Sequence, residues 1–469
     1  MNEYDQYDAT GLAALIATGG LSASEVIEIA IARIEALNPA LNAVVANLFD
    51  EARVAVRNGL PNGPLRGVPY LVKDLNTLVA GVPATSGSRA FQKFVPKDDS
   101  TLISRLRATG LVILGKTNTP EFGLNICTAP RLFGPTRNPF DPERSAGGSS
   151  GGSACAVAAS MVPAAHATDS GGSIRIPASN CGLFGLKPSR ARIPLGHEKS
   201  EGLAGLSVAH AITHSVRDSA ALLDATAGPM VGDFYSAPPA SRSFLSALEG
   251  PLPKFRVALW TSGYAGESIA SACQTAARDA ARLCESLGCR VEETRPSIDG
   301  HALREAFDVL FCANIHNVVE QIRSANPEAD FEEMFEPVTL ACSLAAQRFR
   351  AVDYVRGMDC IQQAARTLGE FFENHDVLLT PTLANPPLPL GAMSMMTDDW
   401  EAYLNKMLNE IPFTPLFNAT GAPAASVPLG RCPDGLPIGI QIGAGFGEER
   451  RLLRLARALE EAAPWHQRS

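Results

Sequence analysis

The chain has 469 residues, 46% of them hydrophobic and 19% charged, enough apolar material for a substantial core and too much for a disordered chain. Its 40 basic and 49 acidic residues give a net charge of −9 with no basic run, which excludes a nucleic-acid groove. The opening residues MNEYDQYDAT form no apolar signal segment, no stretch reaches the ~20 apolar residues of a membrane span, and the ten cysteines are scattered without a CxxC pair. The expectation is a cytoplasmic protein with reduced thiols.

Ser22-Ala-Ser-Glu25 is a capping-box pattern, and the apolar spacing after it predicts a helix. The spacing over 43–56 predicts a second helix, so that residues 1–60 read as a helical N-terminal layer. Residues 67–74, GVPYLVKD, predict a short strand ending at Lys73. The surrounding strand character places this lysine where burial is expected, although a strand-end lysine can also reach out to water. A helix over 99–107 and a strand over 111–114 follow.

Residues 110–117, GLVILGKT, match the phosphate-binding pattern GxxxxGK[ST] letter for letter. In a phosphate loop the middle residues form the turn, whereas here they are the strand, so nucleotide binding is rejected. Residues 147–151, GGSSG, match the G-x-S-x-G nucleophile elbow, which requires a hydrophobic strand immediately before it. The proline-broken segment RNPFDPERS precedes it instead. An α/β-hydrolase elbow is therefore disfavoured.

Small residues predict a helix over 153–161, and 162–168 a strand. Residues 190–214 predict a long irregular loop, a candidate for the substrate side. Strands are expected at 256–260, 290–293, 376–380, 424–429 and 437–442. Helices are expected at 269–287, through 372, and at 448–462. This alternation makes the chain α/β.

Two Gly-Gly-Ser clusters, at 147–153 and 171–173, flank an apolar run without charge until Asp169. Grouped glycine amides can bind an anion or hold an oxyanion, and a serine at the end of such a run can act as nucleophile. It then needs a base. His166 and Asp169 are close in sequence, but residues three and four apart in a strand-loop do not readily converge on one hydroxyl. The histidines form no metal-ligand pattern. A lysine made neutral by burial is the remaining candidate, which brings in Lys73.

The segments GVPYLVKD, GKTNTPEFG, GGSSGGSA and TDSGGSIRIPASNCGLFGLKPS, with AAxxVPLG…DGLPIGIQIG near the end, resemble the amidase signature family of serine hydrolases over nearly the whole chain. The resemblance implies one amidase domain with a large, mixed, twisted central sheet covered by helices on both faces. Its catalytic core would span 61–190, with substrate-side loops and helices at 191–215 and 300–375. It further implies Ser173 as nucleophile, Ser149 after a cis peptide bond as proton relay, and Lys73 as base. The oxyanion hole would be formed by amides of Ser170, Gly171, Gly172 and Ser173, with Ser150, Asp169 and Arg175 bracing the site. No metal and no cofactor is expected.

Within the family the chain is most similar to the nylon-degrading branch and to relatives that cleave aryl acylamides and urethanes, on GVPYLVKDL, TRNP, RIPASNCG and DFYSAPPASRSF. The segment GHEKSEGL at 196–203 departs from the tRNA-amidotransferase branch. The implied function is hydrolysis of small, fairly apolar secondary amides and carbamates. Gly123, Leu124, Asn125, Cys127, Phe311, Cys312 and His316, with the loop near 195–206, are expected to line the pocket. Primary-amide or ester hydrolysis, an amidotransferase subunit and a non-catalytic relative are the alternatives. The oligomeric state is open, a homodimer among the possibilities.

Overall fold

The computed structural model describes residues 4–195 and 200–465. The strands in chain order are β1 (Val44–Asn47), β2 (Pro69–Lys73), β3 (Val112–Thr117), β4 (Arg137–Asn138), β5 (Asp141–Ser145), β6 (Ala164–Asp169), β7 (Phe184–Lys187), β8 (Val208–Thr213), β9 (Arg256–Leu259), β10 (Arg290–Glu293), β11 (Val377–Pro381), β12 (Ala424–Arg431) and β13 (Pro437–Gly443). Eleven form one sheet in the order β1-β3-β2-β6-β8-β7-β12-β13-β11-β9-β10, while β4 and β5 form a separate hairpin. The large sheet is mixed: β2 runs parallel to β3 and β6, β6 antiparallel to β8, and β9 parallel to β10 and β11.

Helices flank this sheet, and one apolar core runs from Tyr4 to Trp465. Every residue of β2, β3, β6, β8 and β13 is buried. Strands covered on both faces read as continuous apolar runs rather than alternating ones.

The predicted capping box opens the Ala23–Leu41 helix: Ser22 Oγ accepts the Glu25 N–H, and Glu25 Oε2 accepts the Ser22 N–H. The helix expected over 43–56 is corrected. Asn42 takes a left-handed conformation (φ 53°) that ends the helix, Val44–Asn47 pairs with β3, and a new helix starts at Phe49. The 190–214 segment is less irregular than expected, because residues 208–213 form β8.

The phosphate-loop lookalike is indeed a strand. A side chain at Gly115 would come within 2.3 Å of the Ala46 carbonyl of β1, which accounts for the glycine. The strand before Ser149 is the outer hairpin strand β5, not a buried hydrophobic one.

Candidate active site

The site gathers at the carboxyl ends of β2 and β6, where ligands commonly bind in open α/β sheets. Lys73 is the last residue of β2 and is 0% exposed, so the reading in which it reaches water fails. Its Nζ lies 2.7 Å from Ser149 Oγ and 2.8 Å from Thr168 Oγ1, and among the described residues no carboxylate is in salt-bridge range. Burial holds its ammonium well below the usual lysine value, and the more distant Asp169 charge opposes this only in part. Lys116 on the neighbouring strand is equally buried but pairs with Asp74 at 3.0 Å. Lys187, the third buried lysine among the described residues, donates to the Pro188 carbonyl and is not on the cavity wall. Among the described residues only Lys73 combines burial, the lack of an anionic partner and contact with a cavity hydroxyl.

Ser149 follows a cis Gly148–Ser149 peptide. A Cβ on Gly148 would stand 2.7 Å from the Asn125 carbonyl and 3.0 Å from the Cys127 nitrogen, so this turn closes only on glycine. Ser150 binds it to the second cluster. Its N–H donates to the Ser173 carbonyl at 3.3 Å, and its Oγ donates to the Thr168 carbonyl at 3.2 Å.

Asp169 shapes the second cluster. Its carboxylate accepts the Gly172 N–H at 2.7 Å and the Ile174 N–H at 3.2 Å. Arg175 grips it through Nε at 3.0 Å and Nη2 at 2.9 Å, and Asn418 donates to it at 2.8 Å. Burial pushes this acid up, but the Arg175 charge and hydrogen bonds outweigh it and hold the carboxyl at about 2. The Gly172 amide is thereby spent on Asp169, which leaves the amides of Ser170, Gly171 and Ser173 as those free to face an oxyanion.

His166 is fully buried on β6, with Nε2 at 3.2 Å from Thr77 Oγ1 and Nδ1 without a partner. Burial, then the charges of Lys73 and Lys116, push its pKa well down.

These groups meet at a cavity of about 1180 Å³. Ser149, Thr168, Ser170, Gly171 and Ser173 line one part of it. Gly123, Leu124, Asn125 and Phe311 are on its wall, as are Leu195, Glu201, Gly202 and Leu203 of the expected loop; residues 196–199 of that loop lie outside the described residues. Cys127, Cys312 and His316 are not on the wall. Cys127 is buried in the core, Cys312 sits 3.8 Å from Cys342 between helices, and His316 Nδ1 meets Ser343 Oγ at 3.0 Å.

Sequence reading missed Thr168, although it adjoins the DSGGS cluster. It also missed the Trp400–Glu410 helix, whose Leu404, Met407 and Leu408 line the cavity, and Thr414 and Asn418, which grip the second cluster from over 240 positions away.

The model of the amidase family matches residues 25–453. The 6-aminohexanoate-cyclic-dimer hydrolase of Paenarthrobacter ureafaciens is 38% identical, over 98% of this chain and 95% of its own length. The solved structure of 6-aminohexanoate cyclic dimer hydrolase complexed with substrate superposes with a TM-score of 0.93 at 35% identity, covering 99% of this chain and 98% of that one. A bacterial aryl acylamidase of the amidase signature family superposes with a TM-score of 0.89 at 29% identity, covering 98% and 97%. A family match over most of the chain and a full-length relative at this identity place the chain in the amidase signature family, as an amide hydrolase acting on C–N bonds.

Proposed function

We propose that the protein hydrolyses small, fairly apolar secondary amides and carbamates, with Ser173 as nucleophile, Ser149 as relay and Lys73 as base. One observation carries this reading: a buried lysine with no anionic partner among the described residues, 2.7 Å from a serine that lines an apolar cavity together with Ser173. A neutral amine keeps two N–H donors and one lone pair. It can donate to Thr168 and accept the Ser149 proton at the observed distances.

Ser173 Oγ attacks the carbonyl carbon, its proton passes to Ser149, and the Ser149 proton passes to Lys73. The oxyanion takes hydrogen bonds from the amides around Gly171. The C–N bond then breaks, and the proton returns through Ser149 to the leaving amine. Water repeats the sequence to release the acyl group.

The size of the cavity and its apolar lining, with Leu124, Ile126, Ile176, Ile315 and Met407, favour a substrate with hydrocarbon on both sides of the amide over a small primary amide. Aminohexanoate-type oligomers and aryl amides fit that description, in keeping with the relatives. The scattered, unpaired cysteines support a cytoplasmic location as part of this reading.

Fluorophosphonate labelling with peptide mapping tests the nucleophile, the expected adduct being on Ser173. A mass-spectrometric panel of cyclic and linear aminohexanoate oligomers, anilides, aryl carbamates and esters tests the substrate class. No adduct on Ser173 in folded protein would overturn the mechanism, and turnover confined to primary amides would overturn the substrate class.

A further inference from the structure

We propose that Glu121 is a positioning residue that fixes the helical wall of the cavity to the segment packed against Ser149; the inference rests on the Ser149–Ser173 reading above. Glu121 opens a single helical turn in which Phe122 and Gly123 take positive φ (49° and 72°). A Cβ on Gly123 would lie 3.0 Å from Ser149 Oγ, so the backbone here is packed directly on the relay hydroxyl. Phe122, Gly123 and Leu124 all line the cavity.

Glu121, only 1% exposed, is held by three donors from two other segments. Oε1 accepts from Ser88 Oγ at 2.6 Å. Oε2 accepts the Glu336 N–H at 2.7 Å and the Thr339 hydroxyl at 2.6 Å. Glu336 and Thr339 begin the Pro337–Ala345 helix, which packs on the Gly300–Ala325 helix carrying Phe307, Phe311 and Ile315 of the cavity wall. The Phe122 ring lies 6.0 Å from the Phe335 ring and reinforces the same junction.

A carboxylate suits this place because it is an acceptor only, meets three donors, and faces the positive end of a helix. Among the described residues no cation pairs with it directly. Burial raises its pKa, so it is an expensive group to hold here as mere packing. What it accomplishes is geometric: it joins the turn packed on Ser149 to helices contributed by residues some two hundred positions later.

The test compares inactivation of the full chain by ethyl and decyl fluorophosphonates, which separates alkyl-chain binding from reaction at Ser173 without knowledge of the substrate. Glu121→Leu should weaken saturable binding of the decyl probe at least tenfold, while the ethyl probe reacts within threefold of wild type. Glu121→Gln should restore decyl binding to within threefold, because its carbonyl can accept from Glu336 and Thr339 while its NH2 donates to Ser88. Should the leucine variant fail to fold, Thr339→Val removes one donor and should weaken decyl binding about threefold. Unchanged decyl binding in Glu121→Leu, or in Thr339→Val if only that folds, overturns the proposal alone. A wild-type protein that neither probe labels overturns the Ser173 reading and this inference with it.

Discussion

Replacing Arg175 by methionine tests the view that a buried ion pair shapes the turn presenting Ser173. The guanidinium is fully buried and makes five hydrogen bonds: two to Asp169, and one each to the Thr414 carbonyl (2.8 Å), Gln441 Oε1 (2.7 Å) and Asn418 Oδ1 (2.7 Å). Removing one member of a buried pair costs about 3–5 kcal/mol, because the other charge is left uncompensated. Part of this is visible in the acid itself. The Asp169 carboxyl moves from 3.8 to about 2 on folding. That lowering is worth about 2–3 kcal/mol, present in full well above 3.8 and lost as pH falls through about 2. Acceptors left on Thr414, Gln441 and Asn418 account for the remainder.

Urea unfolding at pH 7 should therefore show Arg175→Met about 3–5 kcal/mol less stable, a large share of the ~5–15 kcal/mol typical of a folded protein. The gap should narrow by about 1 kcal/mol at pH 3, where roughly half of the Asp169 contribution is already gone in the wild type. Fluorophosphonate labelling of Ser173 in the folded variant should slow at least tenfold. A stability loss below about 1 kcal/mol with labelling intact would refute the reasoning.

Ser173→Ala, Ser149→Ala and Lys73→Met should each lower turnover by about three orders of magnitude or more with unfolding transitions preserved. His166→Gln should stay within about tenfold of wild type, and an equal loss there would displace Lys73 as base. Glu336 is buried beside Glu121, Arg131 and Arg89, and burial raises its carboxyl to about 7 from 4.5. An acid raised in the folded state destabilises it as pH climbs toward that value. Wild type should thus lose about 2–3 kcal/mol between pH 5 and pH 8 from this group, and Glu336→Gln should remove that part of the slope in urea titrations. Gly123→Ala forces a left-handed alanine against Ser149, so it should cost about 1–2 kcal/mol in stability and at least tenfold in kcat.

What the sequence made legible was local. Lys73 could be placed in a buried strand because GVPYLV leaves no polar face, and the glycine clusters announced themselves by composition. The turn around Asp169 could be framed because its main ligand, Arg175, is six residues away. Asn418 and Thr414 carry no local pattern that ties them to Asp169 or Gly171, since only the crossing of the sheet brings them there. The strand at Val44–Asn47 was hidden because its valines continue the apolar spacing of the preceding helix. The strand at Val208–Thr213 is buried on both faces and includes His210, so it showed no alternation. Cys312 and His316 share a helix with Phe311, and the helical period turns them toward the neighbouring helix instead of the cavity.

The grip on the second glycine cluster from the far end of the chain bears on when the enzyme becomes competent during synthesis. Lys73, Ser149 and Ser173 have all been translated by position 173, yet the Gly171 carbonyl accepts the Thr414 hydroxyl at 2.6 Å and Arg175 donates to Gln441 Oε1 at 2.7 Å. A nascent chain lacks those anchors until residues 414 and 441 have emerged from the ribosome. A fragment ending before residue 414 would carry the proposed triad with its turn held by Asp169 and Arg175 but without the Thr414, Asn418 and Gln441 contacts. Under the proposed triad, the turn is therefore expected to take its working shape only once residues 414–441 have been synthesised and have folded against it.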